Sequence, residues 1–216
     1  MHNCKPDPYR GTTGQPPRYA TGPNIMGNLI VLDIQLNAIR SFLTTVVAAA
    51  SLEYSKIQSK SDAGEFDHYD DKENALFYPM MWEEIACKAA LGELNALFEW
   101  ELRNIAIVPF SKAKEDSEAS KPKLVSNLPV GKVIELIEEY YQIKINDVDS
   151  YDDMMDIRDK VNSFKHRKGF KHPLKDRCKV IPEKFELSTL ETFKSIDAVR
   201  RFIRDLWVGT KDKPRA

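Results

Sequence analysis

The stretch CKAALGELNALFEWELRNI, Cys87–Ile105, decides the fold of this chain. Apolar residues recur along it every three or four positions and form one continuous face: Cys87, Leu91, Leu94, Phe98, Leu102 and Ile105. This period is that of an α-helix. Other apolar residues extend the surface around most of the circumference: Ala86, Ala90, Leu97 and Trp100. A helix that is apolar on most sides belongs in the middle of a bundle.

We expect this central helix to span residues 80–107 and Pro109 to end it, because proline lacks a backbone N–H. The same period predicts four further helices, at residues 27–58, 130–141, 150–169 and 188–206. Only residues 180–187 have a composition that suits a short strand. The sequence therefore predicts an all-α protein, an antiparallel bundle of about five helices. The first helix carries a coiled-coil-like apolar seam, formed by Leu29, Leu32, Leu36, Ile39, Leu43, Val46 and Ala50.

Local signals mark several helix ends. Ser150 and Ser188 each stand three positions before an acidic residue, Asp153 and Glu191, which is the spacing of a capping box. Gly169 follows a run of cations, and both features are typical of a helix C-terminus. These signals predict where two helices begin and where one ends.

Residues 62–73 hold six acidic side chains and one lysine, so we expect a solvated connection there. A metal site around His68 is the alternative, but the spacing matches no ligand motif. The three cysteines lie far apart, which argues against a disulfide framework and a zinc site: Cys4, Cys87 and Cys178. We expect no metal and no cofactor, and a reducing, cytoplasmic location.

The chain has 216 residues, 42% of them hydrophobic, and a formal net charge of -1. This size suits one domain, which we expect at residues 25–208, with an irregular arm at 1–24 and a disordered tail at 209–216. The apolar run Phe42–Leu52 is too short to span a bilayer, so no membrane segment is expected. The near-zero net charge means that any preference for nucleic acid must be local.

A polar stripe borders the apolar face of the fourth predicted helix. Arg158, Asn162 and His166 stand four residues apart and drift about 40° per step around the helix. Residues 158–179 contain nine Lys or Arg and two Asp, a local charge of +7 that suits a phosphate-bearing partner. The alternative is a solvated helix end, since cations also collect at helix C-termini for dipole reasons. Composition leaves both interpretations open.

The order of three segments resembles the C-terminal half of HEPN domains, the higher eukaryote and prokaryote nucleotide-binding family. The segments read ALFEWELRNIA, VGKVIELIEEYYQIKIND and VNSFKHRKG, and the resemblance covers roughly residues 74–170. The family signature is Arg, a polar residue that is often Asn, three to five residues, and His, commonly followed by Gly. Asn162, His166 and Gly169 match this spacing, whereas Val161 occupies the position of the signature arginine.

The resemblance implies a homodimer that brings two such motifs together in a basic cleft and cleaves RNA without a metal. His166 would act as general acid or base, because an imidazole can accept and donate a proton near neutral pH. Asn162 would orient that ring or bind a phosphate oxygen. A cation must stabilise the charge of the transition state. Arg158 is assigned to the catalytic set for this purpose, and phosphate contacts are assigned to Lys165, Arg167, Lys168 and Lys171.

Two functional hypotheses follow. The first is an RNA-directed protein, with a metal-independent endoribonuclease of the toxin or defence type as its catalytic form. The second is a non-catalytic interaction or dimerisation module that docks a protein partner. In either case the seam of the first helix and the flank of the Asn162 helix are the expected interface surfaces.

Overall fold

The computed structural model describes residues 25–112, 125–166, 169, 171 and 184–211. These residues form five α-helices with a short 3-10 helix, Ile145–Asp147, and a helical segment at 125–127. Among the described residues there is no strand, so the all-α prediction is confirmed. The helices are α1 (Ile25–Asp62), α2 (Tyr69–Lys112), α3 (Val130–Tyr141), α4 (Tyr151–His166) and α5 (Thr189–Lys211).

Helix α2 is the centre of the bundle, as its apolar circumference predicts. It packs against each of the other four α-helices. Phe98 on α2 meets Phe202 on α5 edge to face, with ring centroids 5.5 Å apart. The predicted apolar face of α2 is buried: Cys87, Leu91, Leu94, Phe98, Leu102 and Ile105. Burial of this face against several neighbours supplies the main hydrophobic stabilisation of the fold.

Helices α1 and α2 form an antiparallel hairpin, and α1 also packs against α5. Ion pairs join α1 to α5: Arg40 to Asp197 at 2.6 Å, Asp33 to Arg200 at 2.9 Å and Asp33 to Arg204 at 3.5 Å. The predicted seam of α1 lies inside the chain, because its central residues Leu32, Leu36, Leu43 and Ala50 are almost completely buried. The expectation that this seam forms an intermolecular interface is therefore wrong, since the seam packs within the chain.

Helix α2 is longer than predicted at both ends. It begins at Tyr69, inside the acidic stretch expected to be a connection, and the backbone stays helical past Pro109 to Lys112. Asp70 and Asp71 lie in its first turn, where carboxylates interact favourably with the helix dipole. The carboxylate of Asp71 accepts the backbone N–H of His68 at 3.3 Å. The acidic residues thus begin a helix, and the connection is shorter than expected.

The serine hydrogen bond of one predicted capping box is present and that of the other is absent. The hydroxyl of Ser188 accepts the N–H of Glu191 at 3.1 Å, which caps α5. Ser150 has a φ of 62°, outside the extended region that an N-cap adopts. Its hydroxyl instead accepts a hydrogen bond from Arg201 at 3.2 Å. The first residues of α5 also differ from the prediction, since Leu190 is exposed rather than inward.

The end of α4 is closed by Gly169, as predicted. Gly169 has a φ of 86° and donates its N–H to the carbonyl of Ser163 at 3.0 Å, a geometry that favours glycine. Its carbonyl accepts the N–H of Phe185 at 2.9 Å. This bond ties the segment before α5 to the end of α4. Lys184 forms an isolated β-bridge and residues 185–187 are not strand, whereas residues 180–183 of the expected short strand lie outside the described residues.

The two ends of the described chain bear on the membrane and tail predictions. Within the described residues, the stretch Gly27–Asp62 is long and apolar enough to cross a membrane. Core helices of soluble proteins have the same length and composition, so the absence of a membrane segment stays a prediction. At the other end, α5 runs to Lys211, three residues into the expected tail, and Thr210 is buried. The arm at residues 1–24 lies outside the described residues.

Candidate functional site

Helix α4 separates an apolar side from a polar side. Met154, Ile157 and Val161 are buried in the bundle core. Val161 is 3% exposed, so the position that aligns with the signature arginine of the family points into the core. The stripe of Arg158, Asn162 and His166 lies beside this face, and its exposure increases toward the end of the helix.

Arg158 is held by an acidic residue on α2. Its guanidinium donates to the carboxylate of Glu99 at 2.5 Å. The same carboxylate accepts the amide of Asn95 at 3.2 Å and lies 3.5 Å from Arg103. Burial alone would raise the pKa of Glu99, but Arg158, with Asn95 and Arg103, holds it below its usual value. Glu99 is therefore ionised near neutral pH and balances the charge of Arg158.

This ion pair sets the register between α2 and α4. The ring of Phe164 on α4 lies under the ammonium of Lys88 at 5.6 Å, so the two helices run antiparallel. Moving one turn from the Glu99–Arg158 pair places Asn162 at the level of Asn95. Asn95 is 7% exposed, and its side-chain oxygen has no hydrogen-bond partner among the described residues. The ion pair of Arg158 with Glu99 lies in the seam between α2 and α4.

His166 and Lys165 form the exposed end of this seam. His166 is the last residue of α4, and both side chains are exposed. Arg167 and Lys168 lie outside the described residues. The ammonium of Lys171 is 6.0 Å from the centre of the Phe185 ring. At this end of α4 His166 is exposed, and Asn162, one turn earlier, is partly exposed.

Part of the local charge of +7 that the sequence predicts is balanced by carboxylates of the same chain. Of the nine cations predicted to concentrate here, the structure describes Arg158, Lys160, Lys165 and Lys171. Arg158 is paired with Glu99, and Lys160 is paired with Asp156 at 2.6 Å. The charges of Arg158 and Lys160 are thus balanced within the chain.

A cavity of about 700 Å³ opens on another side of α4. At 100° per residue, Phe164 points about 160° away from both Asn162 and His166, so this cavity is separate from the polar stripe. Cys87 lies at its wall, and burial raises the pKa of the thiol, which favours the neutral form of a core cysteine. The cavity is lined by Met80, Glu83, Glu84, Cys87, Lys88, Phe164, Gly169, Lys184, Phe185, Leu187, Ser188 and Thr189.

Two features of α2 were not predicted from the sequence. Glu99 pairs with Arg103 within the helix, and it also contacts Arg158 on α4. The sequence feature that could have predicted the contact with α4 is the four-residue spacing of Asn95, Glu99 and Arg103, which equals the spacing of the stripe residues on α4. The second feature that was not predicted is the buried carboxyl of Glu101. Its only indication in the sequence is a charged residue on an otherwise apolar face of the helix.

Glu101 is 1% exposed and accepts the indole N–H of Trp207 at 2.9 Å. Burial raises its pKa to about 6, although hydrogen bonds from Trp207 and Asn104 act in the opposite direction. Within the described residues, no group of three or more His, Cys, Asp or Glu side chains is placed to hold a metal ion. Comparisons of this chain with protein-family models, with curated proteins and with solved structures found no match.

Proposed function

We propose that this chain is a cytoplasmic, RNA-directed helical-bundle protein related to HEPN domains, and that the Asn162–His166 edge of α4 contacts the RNA. The supporting observation is that Asn162, Lys165 and His166 are accessible to solvent, whereas the apolar side of the same helix is buried in the bundle core. An amide, an ammonium and an imidazole at one accessible helix end can together contact phosphate and ribose oxygens.

The catalytic form of this proposal is a metal-independent endoribonuclease of the toxin or defence type. His166 acts as general base on a ribose 2′-hydroxyl or as general acid on the leaving oxygen, and Asn162 orients the imidazole or binds phosphate. Arg158 supplies a cation of fixed direction, because Glu99 holds its guanidinium. The same carboxylate balances its charge, so Arg158 stabilises a phosphorane less than an unpaired arginine does.

Incubation of purified protein with a labelled RNA in the presence of a chelator tests this proposal. We expect cleavage by the wild type and its loss, by at least about a hundredfold, in His166→Ala, because general acid–base catalysis contributes about that much. His68→Ala is the matched control, since His68 is also exposed but lies at the far end of the hairpin. Equal activity of the wild type and His166→Ala would refute the catalytic assignment.

A second candidate function is a non-catalytic interaction module. Large apolar side chains that remain exposed on the α1–α2 hairpin favour it, among them Phe42, Tyr78, Trp82 and Ile85. This function predicts an assembly that is insensitive to salt and has no RNA affinity. The RNA-directed function predicts affinity that falls steeply as salt rises, because phosphate contacts release counterions.

A further inference from the structure

A small cavity lies near the turn that joins α1 to α2. Its volume is about 370 Å³, and its walls come from both helices and from the turn. A cavity of this size that is lined mainly by apolar and aromatic side chains is typical of a small-molecule site. We call it the hairpin cavity, and its lining residues are Glu53, Lys56, Ile57, Lys60, Phe66, Ala75, Tyr78 and Trp82.

Three of the lining side chains are aromatic. Tyr78 and Trp82 stand four residues apart on α2, so they lie on the same face of that helix. They are 65% and 41% exposed, and the third ring, that of Phe66, is half-buried in the turn. Within the described residues, none of the three rings packs on another aromatic ring. The cavity therefore offers flat apolar surfaces on which the ring of a ligand can stack.

Backbone hydrogen bonds fix the turn that carries Phe66. Gly64 has a φ of 68°, and the N–H of Glu65 donates to the carbonyl of Lys60 at 3.0 Å. The ammonium of Lys72 donates to the side-chain oxygen of Gln58 at 3.4 Å, which joins the start of α2 to α1. The wall formed by the turn is thus held in place by the chain itself, which lowers the entropy cost of binding a ligand.

One lysine gives the cavity a positive charge that the chain does not balance. The ammonium of Lys56 donates to the carboxylate of Glu53 at 3.1 Å, so these two lining charges balance each other. Lys60 is exposed, and its ammonium has no ion-pair or hydrogen-bond partner within the described residues. A carboxylate on the ligand is the group that this ammonium would bind most favourably.

The surroundings of the cavity favour a ligand with one negative charge over a polyanion. Residues 62–73 contain six acidic residues and one lysine, and all six carboxylates are exposed. They repel a chain of phosphates along its whole length, whereas a single carboxylate at Lys60 keeps one attractive contact at short range. The cavity is therefore distinct in chemistry from the basic end of α4.

We infer that the hairpin cavity binds a small planar aromatic carboxylate. The ring of the ligand packs against Phe66, Tyr78 and Trp82, and its carboxylate accepts a hydrogen bond from Lys60. This inference does not rest on the RNA-directed function, because no lining residue of the cavity belongs to α4.

An NMR titration of ¹⁵N-labelled protein with naphthoate tests the inference. The chain has three tryptophans, each with one indole N–H signal, and Trp82→Phe identifies the signal of Trp82 by its loss. We expect the Trp82 signal to shift and saturate, and the signals of Trp100 and Trp207 to stay in place, because these two residues do not line the cavity.

Two analogues separate the features of the ligand. Naphthylmethanol lacks the charge and should bind about threefold more weakly than naphthoate, the effect of one exposed ion pair. Cyclohexanecarboxylate lacks the aromatic ring and should bind about fivefold more weakly, because ring stacking is lost.

Two variants test the cavity itself. Ala75→Leu should abolish the response of Trp82, because the larger side chain fills the cavity and leucine retains a high helix propensity. Ala89→Leu is the matched control, since Ala89 is exposed on α2 and does not line the cavity. Lys60→Gln should weaken naphthoate about threefold and leave the affinity for naphthylmethanol unchanged.

The inference is overturned if naphthoate produces no saturable shift of the Trp82 signal, or if a folded Ala75→Leu binds as the wild type does. Equal affinities of wild type and Lys60→Gln for naphthoate also overturn it, and this test holds even if Ala75→Leu misfolds, because Lys60 is exposed. A Trp82 signal that responds to single-stranded RNA but not to naphthoate would place a polynucleotide in the cavity instead.

Discussion

Arg158 illustrates how a neighbour can change the role that a residue's sequence context suggests. Its position in the polar stripe predicts a phosphate contact, but its guanidinium is bound to Glu99, 59 positions away in the sequence. Nothing within the α4 segment reveals this partner. The stripe itself was predictable from the four-residue spacing, and so was the burial of Val161 on the adjacent face, which the structure confirms.

Replacing Glu99 by glutamine should test whether Arg158 is a phosphate contact. The substitution keeps the shape of the side chain and removes the charge that balances Arg158, so RNA affinity should rise severalfold in a fluorescence anisotropy titration. Glu93→Gln is the control, because it removes one negative charge from the same helix without touching Arg158. Equal increases in both variants would show that only the total charge matters.

Glu101 should make stability depend on pH. Burial raises its folded-state pKa to about 6 from an ordinary value of 4.5, so the folded state binds more protons between these values. The free energy of unfolding should therefore fall as pH rises from about 4.5 to above 6. The expected decrease is about 2 kcal/mol, because the two pKa values differ by about 1.5 units. Glu101→Gln should be more stable than the wild type at pH 8 and equal to it at pH 4, as measured by urea unfolding.

The control for this experiment is Glu139→Gln, since Glu139 is exposed on α3 and its substitution should leave the pH dependence unchanged. If Glu101→Gln retains the full pH dependence of the wild type, another group is responsible. If it is strongly destabilised at pH 8, the ionised carboxylate is favourable in the folded protein, which contradicts the direction given by its burial.

At the scale of the helices, periodicity predicted which elements exist but not where they end. The buried face of α2 and the inward faces of α3 and α4 could be predicted because a 3.6-residue period extends over several turns of each helix. At the start of α2, the carboxylate of Asp71 accepts the backbone N–H of His68. An acidic run has the same composition in a helix N-terminus and in a solvated loop, so composition could not separate them.

The two serines with the same capping pattern offer a direct comparison. Ser188→Ala should destabilise the protein by about 1 kcal/mol, because the hydroxyl caps α5. Ser150→Ala should cost less than about 0.5 kcal/mol, because that hydroxyl only accepts a bond from the exposed Arg201. Urea unfolding at constant pH measures both values. Equal losses from the two substitutions would contradict the difference in their geometry.

At the scale of the molecule, the apolar circumference of α2 explains why four helices surround it. It also leaves some of the apolar side chains of α2 exposed, among them Trp82 and Ile85. The seam of α1 and the flank of the Asn162 helix were the expected interfaces, since a periodic seam has the same pattern in one dimension whether it is internal or exposed. Only the packing of Leu36 and Leu43 against neighbouring helices shows that the seam is internal.

The central claim, that the end of α4 contacts RNA, is tested most directly by anisotropy titrations of a single-stranded RNA with the wild type, with the double variant Lys165→Gln/His166→Ala and with Lys60→Gln. Lys60 is also exposed but lies far away on the hairpin. We predict that affinity falls steeply with salt for the wild type, is about tenfold weaker in the double variant and is unchanged in Lys60→Gln. Binding that ignores salt, or that is equal in the double variant, would contradict the claim.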